Sequence, residues 1–392
     1  MPKHKRPLLI TIMAIAFFQM PQLAIAPGLE SIRDSFPGYS IAAVQTVTAL
    51  QNLLCIVSAV TAAFLIRAGL FTKRASAIAG LFLAGLTGAV AIFAHTQFWH
   101  VTLLSVVLGL GLGLLIPSAM SIAIDNFEGG ELRILTGAQS SAINTGGIIL
   151  GIVGGILVAR TGHWYAPYIL LLSVLIVGCL SLKTLPRVAR VRAANTPRVK
   201  ERMNRDIFFY IGVLFVFMMV YNVLSQNIST HLARMGASAS VSGFAVAFSM
   251  GGGVISGLLY PKLATKLHDR MLALAFFEMA VGFALLFVFD ASVVITMLAS
   301  LIVGMSMSTL VPQCNFAVGE LSTPVTSVVA TLLLCSVSPS LGGFLSPVIF
   351  TNATEAMFGD VTASRFGFMG ALSLALGVVL TVWLGRKKRK KA

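Results

Sequence analysis

Runs of about 20 mainly apolar residues follow one another along almost the whole chain, and this pattern limits the folds open to it. An α-helix needs a run of that length to cross a hydrocarbon layer of roughly 30 Å. With 57% hydrophobic and 10% charged residues, and a mean hydropathy of +0.92, the sequence has more apolar surface than the core of a soluble domain can bury. The chain is therefore predicted to lie in a lipid bilayer.

The apolar runs predict an all-α integral membrane protein with twelve transmembrane helices. They are rich in Gly, Ala, Leu and Phe and lack the polar and apolar alternation of membrane strands, which favours a helical bundle over a barrel. The first run is too long for a cleavable signal peptide. The predicted spans are 8–28, 41–66, 75–94, 97–122, 137–159, 164–184, 207–229, 240–261, 271–289, 292–316, 324–350 and 364–385.

The formal net charge of +15 would suggest a nucleic-acid partner in a soluble protein, but its placement gives another explanation. If the N-terminus is cytoplasmic, all but four of the 28 Lys and Arg residues fall on the cytoplasmic side; the exceptions are Arg33, Arg160, Arg234 and Arg365. This bias follows the positive-inside rule and predicts that both termini are cytoplasmic. The basic tail, residues 386–391, is then expected beside anionic lipid, with no nucleic-acid partner.

The two halves of the sequence repeat each other at an offset of 195 residues. Residues 109–117, GLGLGLLIP, return as residues 304–312, GMSMSTLVP, and the same register places Gly147 on Gly342. The longest stretch without a predicted span is basic and contains two prolines. We therefore predict a six-helix bundle over 1–185, a cytoplasmic linker over 186–206 and a second six-helix bundle with a basic tail over 207–392.

This organisation resembles that of the major facilitator superfamily, and local motifs support the resemblance. Residues 27–36, PGLESIRDSF, resemble the P-x-L-x-x-I-x-x-x-F sequence that follows the family's first helix, and the fourth span resembles its glycine-rich fourth helix. The fifth span is similar to the antiporter motif of the bacterial twelve-helix drug:proton branch. The resemblance implies two parallel six-helix halves that rock about a central site. The expected conformational positions are Gly109, Gly113, Pro117, Gly147, Gly151, Gly155, Gly304, Pro312 and Pro347.

The loop after the second span departs from the family pattern. The family reads G-x-L-a-D-R-x-G-R-K, whereas residues 63–74 read AFLIRAGLFTKR, so the acid is missing and Arg67 stands near its place. Asp125, at the end of the fourth span, or Glu128 is the expected partner of Arg67 in a cytoplasmic gate.

One ionisable side chain, Glu278 in the ninth span, lies deep within a predicted helix. A carboxyl group at such a position can take up a proton and release it when water reaches it, which coupling to a proton gradient requires. Glu278 is therefore the candidate coupling residue, although a hydrogen bond to a neighbouring helix would explain it as well.

Polar side chains in the first, seventh and tenth spans, with two secondary candidates in the fifth, are the candidates for binding a substrate. The resemblance implies that the first, fourth, seventh and tenth helices line the cavity. Unpaired amides in lipid are costly, so clusters of them indicate either interhelical hydrogen bonds or a wet cavity. Gln19 and Gln22 also bracket Pro21, where we expect a kink. The candidates are Gln19, Gln22, Tyr221, Asn222, Gln226, Gln313, Asn315, Gln139 and Asn144.

No motif in the sequence indicates an enzyme. There is no phosphate-binding G-x-x-x-x-G-K-[ST], the six histidines are dispersed, and the four cysteines form no C-x-x-C, so no cofactor, metal or disulfide is predicted. We predict proton-coupled efflux of amphiphilic small molecules by a monomer in a bacterial inner membrane. A facilitator or proton symporter for a small neutral or anionic metabolite is the alternative. A lipid flippase or a non-transporting membrane sensor is an alternative of another class.

Overall fold

A computed structural model describes residues 5–25, 29–39, 41–186, 203–237, 239–323, 326–346, 349–350, 352–358 and 361–389, and these ranges contain helices and no strand. A π-helical turn, Leu333–Val337, joins α14 to α15. The helices, numbered in chain order, are α1 (Arg6–Phe17), α2 (Gln22–Ile25), α3 (Leu29–Ser35), α4 (Ile41–Arg67), α5 (Lys73–Phe93), α6 (Phe98–Asn126), α7 (Gly129–Thr161), α8 (Ala166–Ile169), α9 (Leu172–Thr184), α10 (Arg205–Arg234), α11 (Ala239–Leu267), α12 (Arg270–Val288), α13 (Val293–Leu321), α14 (Ser327–Leu332), α15 (Ser338–Ser346), α16 (Asn352–Phe358) and α17 (Thr362–Arg389).

The helices confirm the expected all-α membrane architecture. Within the described ranges, eleven helical segments are long and apolar enough to cross a membrane, and the apolar segment Ser327–Gly343 occupies the eleventh predicted span. The first span is interrupted between α1 and α2, around Pro21. Proline has no N–H for the helical hydrogen bond, so the break occurs where the sequence predicts a kink.

The chain forms two compact units, each of which contains one segment from the other half of the sequence. The first unit comprises Met1–Glu128, Thr145–Asn204 and Leu321–Val337, and the second comprises Gly129–Asn144, Arg205–Glu320 and Ser338–Ala392. The two exchanged segments, 129–144 and 321–337, largely coincide at the 195-residue offset, so the exchange follows the internal repeat. Residues 187–202 of the predicted linker lie outside the described ranges. The bundles 1–185 and 207–392 remain a prediction for the moving bodies.

In the first unit, the glycine-rich helix α6 packs between α4 and α5. A Cβ on Gly109 would lie 2.5 Å from the Gln51 carbonyl oxygen of α4, and a Cβ on Gly113 would overlap the Cys55 carbonyl oxygen. Small residues at this spacing let two helix backbones approach closely. The first copy of the repeated motif therefore serves helix packing.

In the second unit, Gly304 of α13 is the repeat equivalent of Gly109, and it likewise allows two helices to pack closely. A Cβ on Gly304 would overlap the Ser249 carbonyl oxygen of α11, and one on Gly252 would overlap the Leu301 carbonyl oxygen. Elsewhere in this unit α12 packs along α17, and α10 packs against α15. The duplicated motif thus brings the fourth helix of each repeat onto the second.

The glycines of the fifth span bring α7 against α1 and α2 within the first unit. A Cβ on Gly146 would overlap the Phe17 carbonyl oxygen, and one on Gly154 would overlap that of Ala24, whereas one on Gly151 would be 3.5 Å from the Leu23 oxygen. Gly147 and Gly155 lie on the same helix. Close packing therefore accounts for two of these neighbouring glycines, and bending of the helix at the motif stays a prediction.

Candidate functional site

A half-buried ion pair lies in the first unit at the start of α5. Lys73 Nζ is 2.6 Å from Asp125 Oδ2, and the two side chains are 12% and 16% exposed. Lys73 also donates to Ser327 Oγ at 2.8 Å, and Ser327 donates to Asp125 Oδ1 at 3.2 Å. Ser121 Oγ lies 3.0 Å from the same serine. These four residues, the Lys73 cluster, tie α5 and α6 to the first residue of α14.

The partner of Asp125 differs from the one expected. Arg67, the last residue of α4, is exposed, and Asp125 pairs with Lys73 instead. The reason is geometric, because α5 packs along α6 from its first residue and therefore brings the Lys73 side chain to the end of α6. An apolar cluster of Ala59, Ala63, Val328 and Leu332 seals α14 against α4 in the same unit.

The second unit has a related contact at the start of α7. Glu320, near the end of α13, accepts a hydrogen bond of 2.7 Å from the Gly129 N–H, the first residue of that helix. A carboxylate at a helix N-terminus is favoured by the unpaired N–H groups and the helix dipole. Arg133, one turn further on, stacks over the Phe316 ring at 4.5 Å. Sequence reasoning overlooked Glu320, although the 195-residue offset places it on Asp125.

Glu278 lies midway along α12 and faces α13. Its Oε2 atom is buried and has no hydrogen-bond partner among the described residues, while its carboxyl group is in hydrogen-bonding contact with Thr309. Thr309 Oγ1 is in turn 2.7 Å from Ser256 Oγ of α11. A short chain of polar groups therefore joins α12, α13 and α11 inside the second unit.

A second polar cluster joins α7 to α13. Asn144 Nδ2 donates to the Ser140 carbonyl at 2.8 Å and to Ser308 Oγ at 3.2 Å, and Ser140 Oγ donates to Ser308 at 2.7 Å. Gln139, which precedes Ser140 in the chain, is buried, and its Oε1 has no partner among the described residues. The structure brings Asn144 together with two serines that were not predicted.

Gln313 is held in a network rather than open to a ligand. Its Oε1 accepts from the Tyr260 hydroxyl at 3.0 Å, and its Nε2 donates to Asp269 at 3.2 Å. Tyr210 also donates to Asp269, at 3.0 Å, so the network links α10, α11 and α13 to the start of α12. Asn315, two residues further along α13, is buried as well.

The polar side chains of α10 form hydrogen bonds with residues of α10, α11 and α17. The Tyr221 hydroxyl lies 3.3 Å from Ser249 Oγ, and Asn222 Nδ2 donates to the Met218 carbonyl at 2.7 Å. The side chain of Gln226 lies outside the described residues. Asn227, at the end of the same polar run, accepts from Arg365, which also donates to Thr354 at 3.2 Å.

Arg365 is only 5% exposed. The sequence places it among the basic residues of the outer loops, but its partners on α10 and α16 bury the guanidinium inside the second unit.

In the first unit, the break between α1 and α2 places the amide of Gln19 in the protein interior. Gln19 Nε2 is buried without a hydrogen-bond partner among the described residues, whereas Gln22 is exposed. Of the expected proline positions, Pro117 lies inside α6 and Pro312 inside α13, and Pro347 falls outside the described ranges. Gln19 is therefore the substrate-binding candidate of this unit whose amide nitrogen has no hydrogen-bond partner among the described residues.

Several solved structures of similar fold are transporters. The human organic anion transporter MFSD10 (TETRAN) is similar with a TM-score of 0.71 and 13% identity, covering 97% of this chain and 100% of its own. The proton:xylose symporter XylE, bound to 6-bromo-6-deoxy-D-glucose, gives 0.70 and 15%, covering 94% of each chain. FucP in the outward conformation, the E. coli fucose:proton symporter, gives 0.74 and 13%, covering 97% of this chain and 99% of its own.

Sequence comparison agrees with this likeness of fold. No curated protein sequence gives a significant match. The sequence profile of the Major Facilitator Superfamily, in contrast, matches residues 8–347, which is most of the chain. This protein therefore belongs to the Major Facilitator Superfamily of transporters.

Proposed function

We propose that this protein is a secondary active transporter that exports amphiphilic small molecules in exchange for protons. The observation that carries the proposal is the carboxyl group of Glu278, held in the interior of a membrane helix with Oε2 unpaired among the described residues. Ionisable groups are expensive in a membrane and generally mark ion or proton pathways. No other acidic residue of the sequence lies midway along a predicted span.

The contact with Thr309 supplies a way for protonation to change helix packing. A protonated carboxyl group can donate to the Thr309 oxygen, whereas an ionised one can only accept from its hydroxyl. The Thr309 hydroxyl has a single proton, which it can donate to Ser256 on α11, to Glu278 or to the Met305 carbonyl at 3.1 Å, so protonation of Glu278 changes which of them receives it. Loading Glu278 with a proton would thereby alter the bonds that hold α11, α12 and α13 together.

Alternating access further needs contacts that form in one state and break in another. The Lys73 cluster and the Glu320 contact have this character, because each binds a residue of a segment that its unit takes from the opposite half of the sequence. In our proposal they hold one side of the transporter closed. Releasing both would free the bundles 1–185 and 207–392 to rock.

The proposed setting is a bacterial inner membrane, with a monomer whose two termini are cytoplasmic. The positive-inside bias supports this orientation, which would place the Lys73 cluster and the Glu320 contact on the cytoplasmic side. The substrate would be carried without a bound cofactor.

The test uses purified protein in liposomes that contain the pH-sensitive dye pyranine. Ligands are first found by thermal shift against a panel of metabolites and drugs, since a ligand that binds the folded state raises its melting temperature. An imposed pH gradient should then drive ligand movement, and ligand movement should change lumenal pH. Glu278→Gln should abolish both couplings while ligand binding persists, and Asp290→Asn, an exposed acid beyond α12, is the matched control. Transport that ignores the gradient would disprove proton coupling.

A proton symporter or a facilitator for a small polar metabolite is the second candidate. The Asn144, Ser140 and Ser308 cluster favours it, because amide and hydroxyl groups suit a neutral solute. The sugar:proton symporters of similar fold are examples of that chemistry, although their likeness extends to the fold alone. Accumulation of ligand on the alkaline side of the membrane would identify symport, and accumulation on the acidic side would identify exchange. Movement of a short-chain fluorescent lipid alone would identify a flippase.

A further inference from the structure

The break between α1 and α2 falls well inside the first apolar span, Arg6–Ile25. Gln19 follows Arg6 by 13 residues, which is about 20 Å along a helix that rises 1.5 Å per residue. Non-helical backbone at such depth occurs where protein buries it or where it lines a cavity. The structure distinguishes between the polar groups at this break.

The Phe17 carbonyl is covered by protein. Pro21 cannot donate to it, and Gly146 of α7 packs so closely on its oxygen that no side chain fits between them. The amide nitrogen of Gln19 is different, because it is buried and lacks an acceptor among the described residues. A buried donor left without a partner costs about 1–3 kcal/mol, so a role in binding would account for its presence.

The chain on both sides of Gln19 and the segment of α7 that packs on it carry no charged residue. The rings of Phe17 and Phe18, half-buried and packed edge to face at 5.1 Å, adjoin Gln19 in the chain. No Asp, Glu, Lys or Arg occurs in the sequence between residues 6 and 30, nor in the part of α7 that packs on this segment, residues 145–159. A ligand here finds a hydrogen-bond donor and an aromatic wall but no counterion.

We infer that the helix break at Gln19 is a recognition site for neutral amphiphiles, whose acceptor oxygen binds the Gln19 amide while the apolar body lies against Phe17 and Phe18. This inference rests on the proposed transport function and narrows its substrate class to uncharged molecules with a carbonyl or similar oxygen. Charged amphiphiles of the same size should bind less well, because burial would remove their hydration without supplying a partner.

The test compares two neutral probes of similar shape, 2-acetylnaphthalene and 2-isopropylnaphthalene, by thermal shift of the full-length protein in detergent. The ketone should bind the wild-type protein about 3- to 10-fold more tightly, as expected for one net hydrogen bond. Gln19→Leu should remove this preference and leave both probes with similar affinity. Asn52→Leu, at an exposed amide of α4 in the same unit, should retain the preference.

The melting temperature without ligand separates a binding role from a structural one. Removing an unpaired buried amide should leave Gln19→Leu and Gln19→Met at least as stable as the wild-type protein, while a structural hydrogen bond at Gln19 would make both less stable. Equal affinity of the two probes for the wild-type protein, a ketone preference that survives in Gln19→Leu, or the absence of binding by either probe would overturn the inference. Proton coupling is measured separately in liposomes, so its failure would leave this binding result intact.

Discussion

Asp125 and Glu320 lie 195 residues apart and occupy equivalent ends of α6 and α13, and each carboxylate bonds to the first residue of a helix. Asp125 accepts from Ser327 of α14, and Glu320 accepts from the Gly129 N–H of α7. They differ in their cations, since Lys73 adds an ion pair at 2.6 Å to the first contact. Both copies of the internal repeat thus have an acidic residue at this position, but the residues that bind it differ.

Asp125→Asn should destabilise the protein. The substitution leaves the Lys73 ammonium, 12% exposed, without its carboxylate, and breaking a buried ion pair by removing one partner costs about 3 kcal/mol. We expect a lower melting temperature in detergent, measured by tryptophan fluorescence or by thiol-reactive dye.

The double variant Lys73→Met with Asp125→Leu is the control for this prediction. Replacing both charges by apolar groups removes the ammonium together with its carboxylate, so most of the lost stability should return. Transport should stay impaired in the double variant if the cluster works as a latch. A double variant as unstable as Asp125→Asn would show that the cost has another source.

Glu320→Gln should have a smaller effect than Asp125→Asn. Glu320 is exposed, and the glutamine oxygen can still accept from Gly129, so only the attraction between the negative charge and the helix N-terminus is lost, about 0.5 kcal/mol. Melting curves at low and high salt measure this, because salt screens an exposed charge. Equal destabilisation by the two variants would contradict the difference in burial between the two contacts.

The helical spans could be predicted from the sequence, and the partners of individual residues could not. Apolar length and proline are local signals, so the spans and the interruption at Pro21 followed from them, whereas the backbones that Gly109 and Gly304 approach are seen only in the structure. Arg67 and Lys73 stand six residues apart around one loop. Only the packing of α5 along α6 decides which of them reaches Asp125.

Which polar side chains are buried could likewise not be predicted from the sequence. Arg365 is charged and near a helix start, which predicts an exposed position, but its bonds to Asn227 and Thr354 come from α10 and α16. Gln313 similarly reads as an open amide until Tyr260 and Asp269 are placed around it. Both outcomes depend on residues far away in sequence, which a local pattern does not contain.

Gly304→Ala should destabilise the second unit strongly, because its Cβ would overlap the Ser249 carbonyl oxygen and force α13 away from α11. Overpacking of this kind costs about 2–3 kcal/mol. Gly251→Ala is the matched control, since a Cβ there has no atom within 4 Å. Thermal melting of both variants should show a large loss for the first and little change or a small gain for the second, since alanine favours a helix more than glycine does. Similar losses would mean that the close approach at Gly304 is not the source of the effect.

His231 should make stability fall as the pH falls below neutrality. It lies beyond the apolar window of α10, its Nδ1 is 3.0 Å from Thr362 Oγ1, and burial lowers its pKa from the ordinary 6.5, opposed by the nearby charge of Asp290 and reinforced by Arg234. Below pH 6.5 the unfolded chain therefore binds a proton that the folded protein resists, so the free energy of unfolding drops until the pH reaches the lowered value. Melting temperatures measured between pH 7.5 and pH 5 should decline less steeply for His231→Gln than for the wild-type protein. His163→Gln, an exposed histidine, should follow the wild-type curve. If His231→Gln also followed it, the histidine would not be the group that resists protonation.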